Sequence, residues 1–136
     1  HGTWSGAEPF AQAPGLARYD GPIAAITRAR VRTPLWRTFQ RAVPPVAAVL
    51  QNQDGLLYRI GIGEAPIGLQ GTFSVWRDSA SLRAFAYQQP EHVAVIEQTR
   101  STGWYAEELF ARFAIDAVHG TFVGTDVAAR IAEASR

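Results

Sequence analysis

Three residue types are missing from this 136-residue chain: cysteine, methionine and lysine. Without Cys there is no disulfide framework, thiolate metal centre, iron–sulfur cluster or cysteine nucleophile. Met is absent even at position 1, so the chain is expected to be a processed, trimmed or partial product. With no Lys, all 13 basic residues are Arg, whose planar guanidinium suits bidentate anion contacts. Charge of one sign is also scarce. The net charge of +1 implies no broad preference for nucleic acid or acidic lipid. No apolar run reaches the roughly 18 residues that a membrane span needs. The composition, 47% hydrophobic and 18% charged, is that of a globular domain long enough to bury one core.

Several common functional motifs are lacking too. Gly61-Ile-Gly63-Glu-Ala-Pro66 begins like a dinucleotide loop, but Pro replaces the third glycine and no helix follows. There is no G-x-S-x-G nucleophile elbow. His1, His92 and His119 lie too far apart for metal-pair spacing, and Glu107 and Glu108 are merely adjacent. Arg28, Arg30 and Arg32 form a basic row on a strand. Without a second basic cluster or exposed aromatic pairs it reads as a solvated edge, so no nucleic-acid partner is expected.

The patterning of what remains is clear. Residues 1–22 are rich in Gly, Pro and Ala and read as a linker or the tail of a preceding repeat. Residues 24–32 alternate with period 2, a first strand with Ile23, Ala25, Thr27, Ala29 and Val31 on one side. Thr33-Pro34 opens a helix whose apolar face includes Leu35, Trp36, Phe39, Val43, Val46, Val49 and Leu50. Pro44-Pro45 is expected to kink or split it. A turn at residues 52–55 leads to a strand over 56–63, with Tyr58, Ile60 and Ile62 on one face and Arg59, Gly61 and Gly63 on the other. Residues 64–68, with Pro66, connect to a third strand over 69–76. Asp78 or Ser79 caps a second helix, which Pro90 restarts and Gly103 ends as a left-handed cap. A fourth strand is predicted over 109–118.

The order strand–helix–strand–strand–helix–strand predicts an α+β, ferredoxin-like βαββαβ unit over residues 23–124, with residues 125–136 as a C-terminal tail. Such a unit carries helices on one face of its sheet, and the other face calls for a partner or ligand. Residues 1–6 (HGTWSG) match residues 119–124 (HGTFVG) at four of six positions. That is the footprint of a duplication, which makes this unit the second half of a duplicated barrel.

Several runs carry a family resemblance. They are Gly21-Pro-Ile-Ala-Ala-Ile-Thr-Arg-Ala, Tyr58-Arg-Ile-Gly-Ile-Gly-Glu-Ala-Pro, Thr72-Phe-Ser-Val-Trp, Ala84-Phe-Ala-Tyr, Pro90-Glu-His-Val-Ala-Val-Ile and Gly103-Trp-Tyr-Ala-Glu-Glu-Leu-Phe-Ala-Arg-Phe. Through them the chain resembles the C-terminal half of the spheroidene monooxygenase family, carotenoid ketolases of bacterial pigment pathways. The pattern departs from the family in the extra residue between Pro90 and His92. The resemblance implies a dimeric α+β barrel, a haem b cofactor with its iron, and insertion of a keto group into a carotenoid or similar lipophilic polyene. It also implies O₂ and an external electron donor such as a ferredoxin, and a homodimer or pairing with an N-terminal half. A cytoplasmic location follows, with peripheral access to the membrane for substrate.

On that resemblance His92 is the candidate axial ligand. It falls in the first turn of the helix that Pro90 restarts, where the positive end of the dipole keeps imidazole neutral and able to bind iron. His119 is its rival. Arg28 and Arg59, and after them Arg112, are candidate partners for haem propionates, or else form exterior ion pairs with Glu107, Glu108 or Asp116. Trp76 and Trp104 line the cofactor pocket or pack the core. No catalytic residue is assigned. Two other functions fit the same fold: a cofactor-free α+β barrel monooxygenase acting on small aromatics, and a non-catalytic dimerisation or ligand-binding half-domain.

Overall fold

A computed structural model describes the chain except residues 12, 13, 16, 17, 64–67, 135 and 136, and the side chain of Glu91. The expected connection at 64–67, and with it Glu64-Ala65-Pro66 of the family run, lies outside the described residues.

The elements are β1 (Ile23–Val31), a 3₁₀ turn (Thr33–Leu35), α1 (Trp36–Gln51), β2 (Leu56–Ile62), β3 (Leu69–Trp76), α2 (Ser79–Gln88), α3 (Pro90–Thr102), β4 (Tyr105–Ala114), β5 (Thr121–Phe122), β6 (Thr125–Asp126) and α4 (Val127–Ala134). The four long strands form one antiparallel sheet in the order β2-β3-β1-β4. This is the ferredoxin-like α+β arrangement that the element order predicts.

β1 is central, so its small and β-branched residues pack under the helices. Ile23, Ala25, Ala29 and Val31 are all buried. Two clusters form on that face. Ile23 and Ala25 join Trp76, Leu50 of α1, and Leu82 and Phe85 of α2. Val31 joins Phe39 of α1 and Trp104, with Val95 of α3 against them. Each large side chain so enclosed contributes about 1.5–3 kcal/mol of hydrophobic stabilisation.

Three local signals act as the sequence predicts. The Asp78 carboxylate accepts the Ser81 N–H at 2.7 Å and caps α2. Gly103 ends α3 with φ 62°, ψ 42°. Trp76 and Leu69 bound β3 as expected. Two expectations need correction. Pro44 and Pro45 do not split α1, which runs unbroken through both. The carbonyls they leave without donors belong to Gln40 and Arg41, which are exposed and meet water. β4 starts at Tyr105, four residues before the predicted 109, because the strand leaves the Gly103 cap at once. Its first residues include exposed Ala106 and Glu108, which hide the alternation.

The face of the sheet away from α1–α3 is partly covered by the chain's own ends. Residues 1–3 pair along the edge of β4, with Gly2 opposite Leu109, and Trp4 lies over the Arg28 guanidinium. Phe10 meets Phe113 edge-on. At the other edge α4 lays Ile131 against Tyr58 and Val75, with Phe73, Phe122 and Val127 around them. Ile60, between these covers, remains 48% exposed.

Candidate active site

The middle of the helix-covered face is open. Thr27 sits at the centre of β1 between the two core clusters, yet it is exposed. Its register partners are Thr72 on β3 and Phe110 on β4, and Thr72 in turn opposes Gly61 on β2. Directly opposed residues share a face, so Gly61, Thr72, Thr27 and Phe110 form one row across all four strands. A Cβ placed on Gly61 would meet nothing within 4 Å. The helix side of the sheet is therefore open to solvent at Gly61 and Thr27 and partly covered at Thr72 and Phe110, a shallow cleft whose β4 end is closed by the His1 ring stacked on Phe110.

His92 stands over the gap between the clusters. It is the third residue of α3; its ring packs on Phe85 of the first cluster, 4.6 Å between centroids, while Val95, one turn on, packs on the second. His92 Nδ1 lies 2.9 Å from the Ala86 carbonyl oxygen near the end of α2. A carbonyl only accepts, so Nδ1 carries the proton and Nε2 keeps its lone pair. This bond also satisfies one of the carbonyls that the end of α2 leaves open. Burial pushes the His92 pKa below its ordinary 6.5, against the opposing pull of the Ala86 carbonyl. The ring is thus neutral, half-buried and fixed in the tautomer that metal-binding histidines use. Among the described residues there is no group of three or more His, Cys, Asp or Glu able to hold a bare metal ion.

The other predicted residues divide. Arg59 opposes Ser74, which opposes Ala25, so it shares the cleft face with His92's cluster. Arg28 is on the opposite face and cannot serve the same ligand. Its side chain, 3% exposed, is paired with Glu107 at 3.0 Å beneath Trp4. The guanidinium charge is thus matched by a carboxylate, the ion-pair alternative to a propionate role. Glu107 also accepts from the Gly6 N–H at 2.8 Å and the Thr3 hydroxyl at 3.1 Å. The Gly6 N–H and then Arg28 hold its pKa down, to about 2. Arg112 and His119 are exposed.

Trp76 and Trp104 are 1% and 0% exposed and pack as core. Trp76 donates to Ser74 Oγ at 2.9 Å and tilts against Phe85 at 5.6 Å, so it supports His92 through Phe85. The Trp104 indole N–H is buried with no hydrogen-bond partner among the described residues. A buried donor left unmade costs about 1–3 kcal/mol, so it is a standing demand for an acceptor beside the cleft. The row of Thr27, Thr72 and Phe110 was missed from the sequence. Its signal was present as polar threonines at core-facing positions of two neighbouring strands. Two open grooves, of about 380 and 450 Å³, lie against Tyr58, Arg59 and Arg130 and against Tyr105 and Glu107; Arg59 lines the first and His92 neither.

No protein-family model matches the chain. Curated proteins do. The spheroidene monooxygenase of Rhodobacter capsulatus is 36% identical over 126 residues, 92% of this chain and 52% of that protein. That of Cereibacter sphaeroides is 35% identical over 128 residues, 92% of this chain and 39% of that protein. The resemblance drawn from the sequence runs thus holds over nearly the whole chain, and the chain spans about half the length, or less, of these relatives. Solved structures share the fold. Rv0793 from Mycobacterium tuberculosis superposes with a TM-score of 0.64 at 15% identity, covering 74% of this chain and all of that one. SnoaB, a cofactor-independent oxygenase from Streptomyces nogalater, superposes with a TM-score of 0.56 at 16% identity, covering 71% of this chain and 95% of that one.

Proposed function

We propose that this chain is one α+β unit of a spheroidene-monooxygenase-type enzyme, an oxidoreductase that uses haem to place a keto group on a carotenoid-like polyene. The observation that carries the reading is His92: a neutral imidazole with Nδ1–H engaged and Nε2 available, over a cleft, in a chain similar to spheroidene monooxygenases along 92% of its length.

The residues present fit that cofactor in part. His92 would hold the iron and Arg59 a propionate, while Arg28 would not take part. Haem, when bound, would supply O₂ reduction: in each turnover one oxygen atom would enter the substrate as a hydroxyl and the other leave as water, with two electrons from an external donor such as a ferredoxin and two protons, and a methylene would reach the keto level after two such turnovers with loss of water from the geminal diol. The chain's own work is positional. The Ala86 carbonyl fixes the tautomer of His92 and raises its basicity. Phe85, held by Trp76, sets the ring's orientation and keeps water from one side. Gly61 leaves room for a flat group against the sheet. The polyene, apolar and long, would meet the remaining cleft walls by burial alone. Substrate of that kind partitions into lipid, which favours action at a membrane surface; among the described residues no helix is long and apolar enough to cross one.

The test is an absorption titration with haem. Saturable binding is expected with a Soret band that shifts or disappears in His92→Ala. An unchanged band in that variant defeats the ligand assignment.

A second reading, a cofactor-free oxygenase, draws on the fold shared with SnoaB, a cofactor-independent oxygenase. Colourless protein with O₂-dependent turnover of an activated aromatic would favour it.

A further inference from the structure

Two hexapeptides in this chain share sequence, backbone and turn, but only the first pairs with the edge of β4, while the second rests through Phe122 on Tyr58, 5.4 Å between ring centroids. Gly2 and Gly120 have φ of 95° and 101°, Ser5 and Val123 of 53° and 50°, and Gly6 and Gly124 of 79° and 77°. Each segment closes a two-residue hairpin, in which Trp4 pairs with Ala7 and Phe122 with Thr125. Positive φ at both central positions gives the primed turn that matches strand twist. A non-glycine residue rarely enters that region, so its recurrence at the same place in both segments goes beyond the four shared letters.

The surroundings differ. In residues 1–6, the Thr3 N–H donates to the Glu108 carbonyl at 2.8 Å, and Glu107 accepts from the Thr3 hydroxyl and the Gly6 N–H. A Cβ on Gly2 would collide with the Glu108 carbonyl, so glycine permits the approach to β4. In residues 119–124, a Cβ on Gly120, the counterpart of Gly2, would meet nothing within 4 Å. Val123, a β-branched residue at positive φ, is 89% exposed. The β5–β6 pairing holds the turn from inside the chain, and its outer side is left bare.

We infer that residues 119–124 are a docking arm for the β4 edge of a second unit of this same fold, seated there as residues 1–6 are seated here. Gly120 takes the close approach that Gly2 makes, Thr121 the place of Thr3, and the Gly124 N–H the place of the Gly6 N–H on a carboxylate equivalent to Glu107. The partner is a sister unit, because the required receptor is an open β4 edge with an acidic residue at that position. This chain's own β4 edge is already taken by residues 1–6. Two arms crossing in this way tie two units reciprocally, whatever cofactor they hold.

The test converts the first arm into the second within the full chain, by Trp4→Phe with Ser5→Val. Amide hydrogen exchange is read at Gly6 and Phe110, whose N–H groups the Glu107 carboxylate and the His1 carbonyl hold. Protection is expected to survive the conversion and to be lost at Gly6 when Glu107→Gln is added. In parallel, a fluorescent peptide of residues 117–126 is titrated into the Gly2→Ala chain, whose own arm is excluded from the edge. Saturable binding to that variant and none to the wild type is expected. Loss of Gly6 protection in the converted chain, or no binding of the peptide to the Gly2→Ala chain, overturns the inference.

Discussion

Replacing Phe85 by Ala should both loosen the fold and release the histidine. Phe85 is 7% exposed and tilts against Trp76 at 5.6 Å on one side and His92 at 4.6 Å on the other. Truncating a buried Phe costs about 3–5 kcal/mol, of which aromatic pairing supplies about 0.5–1.5. In a domain of this size that lowers Tm by on the order of 10 °C. The second effect is electrostatic. Burial is the main cause of the lowered His92 pKa, so opening that side to water should move it back toward 6.5. The sign of the linked stability change is fixed. With the folded pKa below 6.5, the unfolded chain binds the proton more readily, and the wild type loses stability as pH falls from about 6.5 to the folded pKa. The variant should show a flatter slope in that window. Thermal melts give the first quantity and an NMR titration of the His92 ring the second. Phe85→Leu, which keeps an apolar cover, should lose less of both. A His92 pKa that stays put in Phe85→Ala would refute burial as its cause.

Three further outcomes are expected. Glu107 has a folded pKa lowered to about 2, so its contribution is full above the ordinary 4.5 and is lost as pH falls through that interval; Glu107→Gln should flatten acid unfolding there, read by circular dichroism against pH. Asp78→Ala removes the α2 cap and should cost about 1 kcal/mol in urea denaturation, whereas Asp78→Asn or Asp78→Ser should restore most of it. Gly55 has φ 78° and a Cβ there would strike Ser81 Oγ, so Gly55→Ala should destabilise by more than about 1 kcal/mol in the same assay, with partial rescue by Ser81→Ala.

Much of the fold was legible because each of its elements carries a local physical signal. β1 alternates, Asp78 and Gly103 cap, and β3 is bounded by its own apolar run. His92 was legible through Pro90, which permits a new helix start and so sets the histidine in its first turn. What failed to show was tertiary. Glu107 was one of three carboxylates open to Arg28, Arg59 and Arg112, but which arginine takes it depends on the pleat, which sends Arg28 and Arg59 to opposite faces and leaves Arg28 with Glu107, 79 positions away. The prolines of α1 read as breaks because solvent access to the Gln40 and Arg41 carbonyls depends on which way the helix faces. Residues 125–136 read as a tail, although Asp126, whose carboxylate accepts the Ala129 N–H at 2.8 Å, was a usable cap signal for α4. Residues 1–6 read as part of a linker, because strand pairing with β4 is set by a partner more than 100 residues on.

The proposed function stands most directly on one measurement: the absorption spectrum of the chain titrated with haem, wild type beside His92→Ala, both shown folded by circular dichroism. A saturable Soret band that shifts or vanishes without His92 is the predicted result. The same band in both proteins, or no band in either, contradicts the assignment of His92 to the iron.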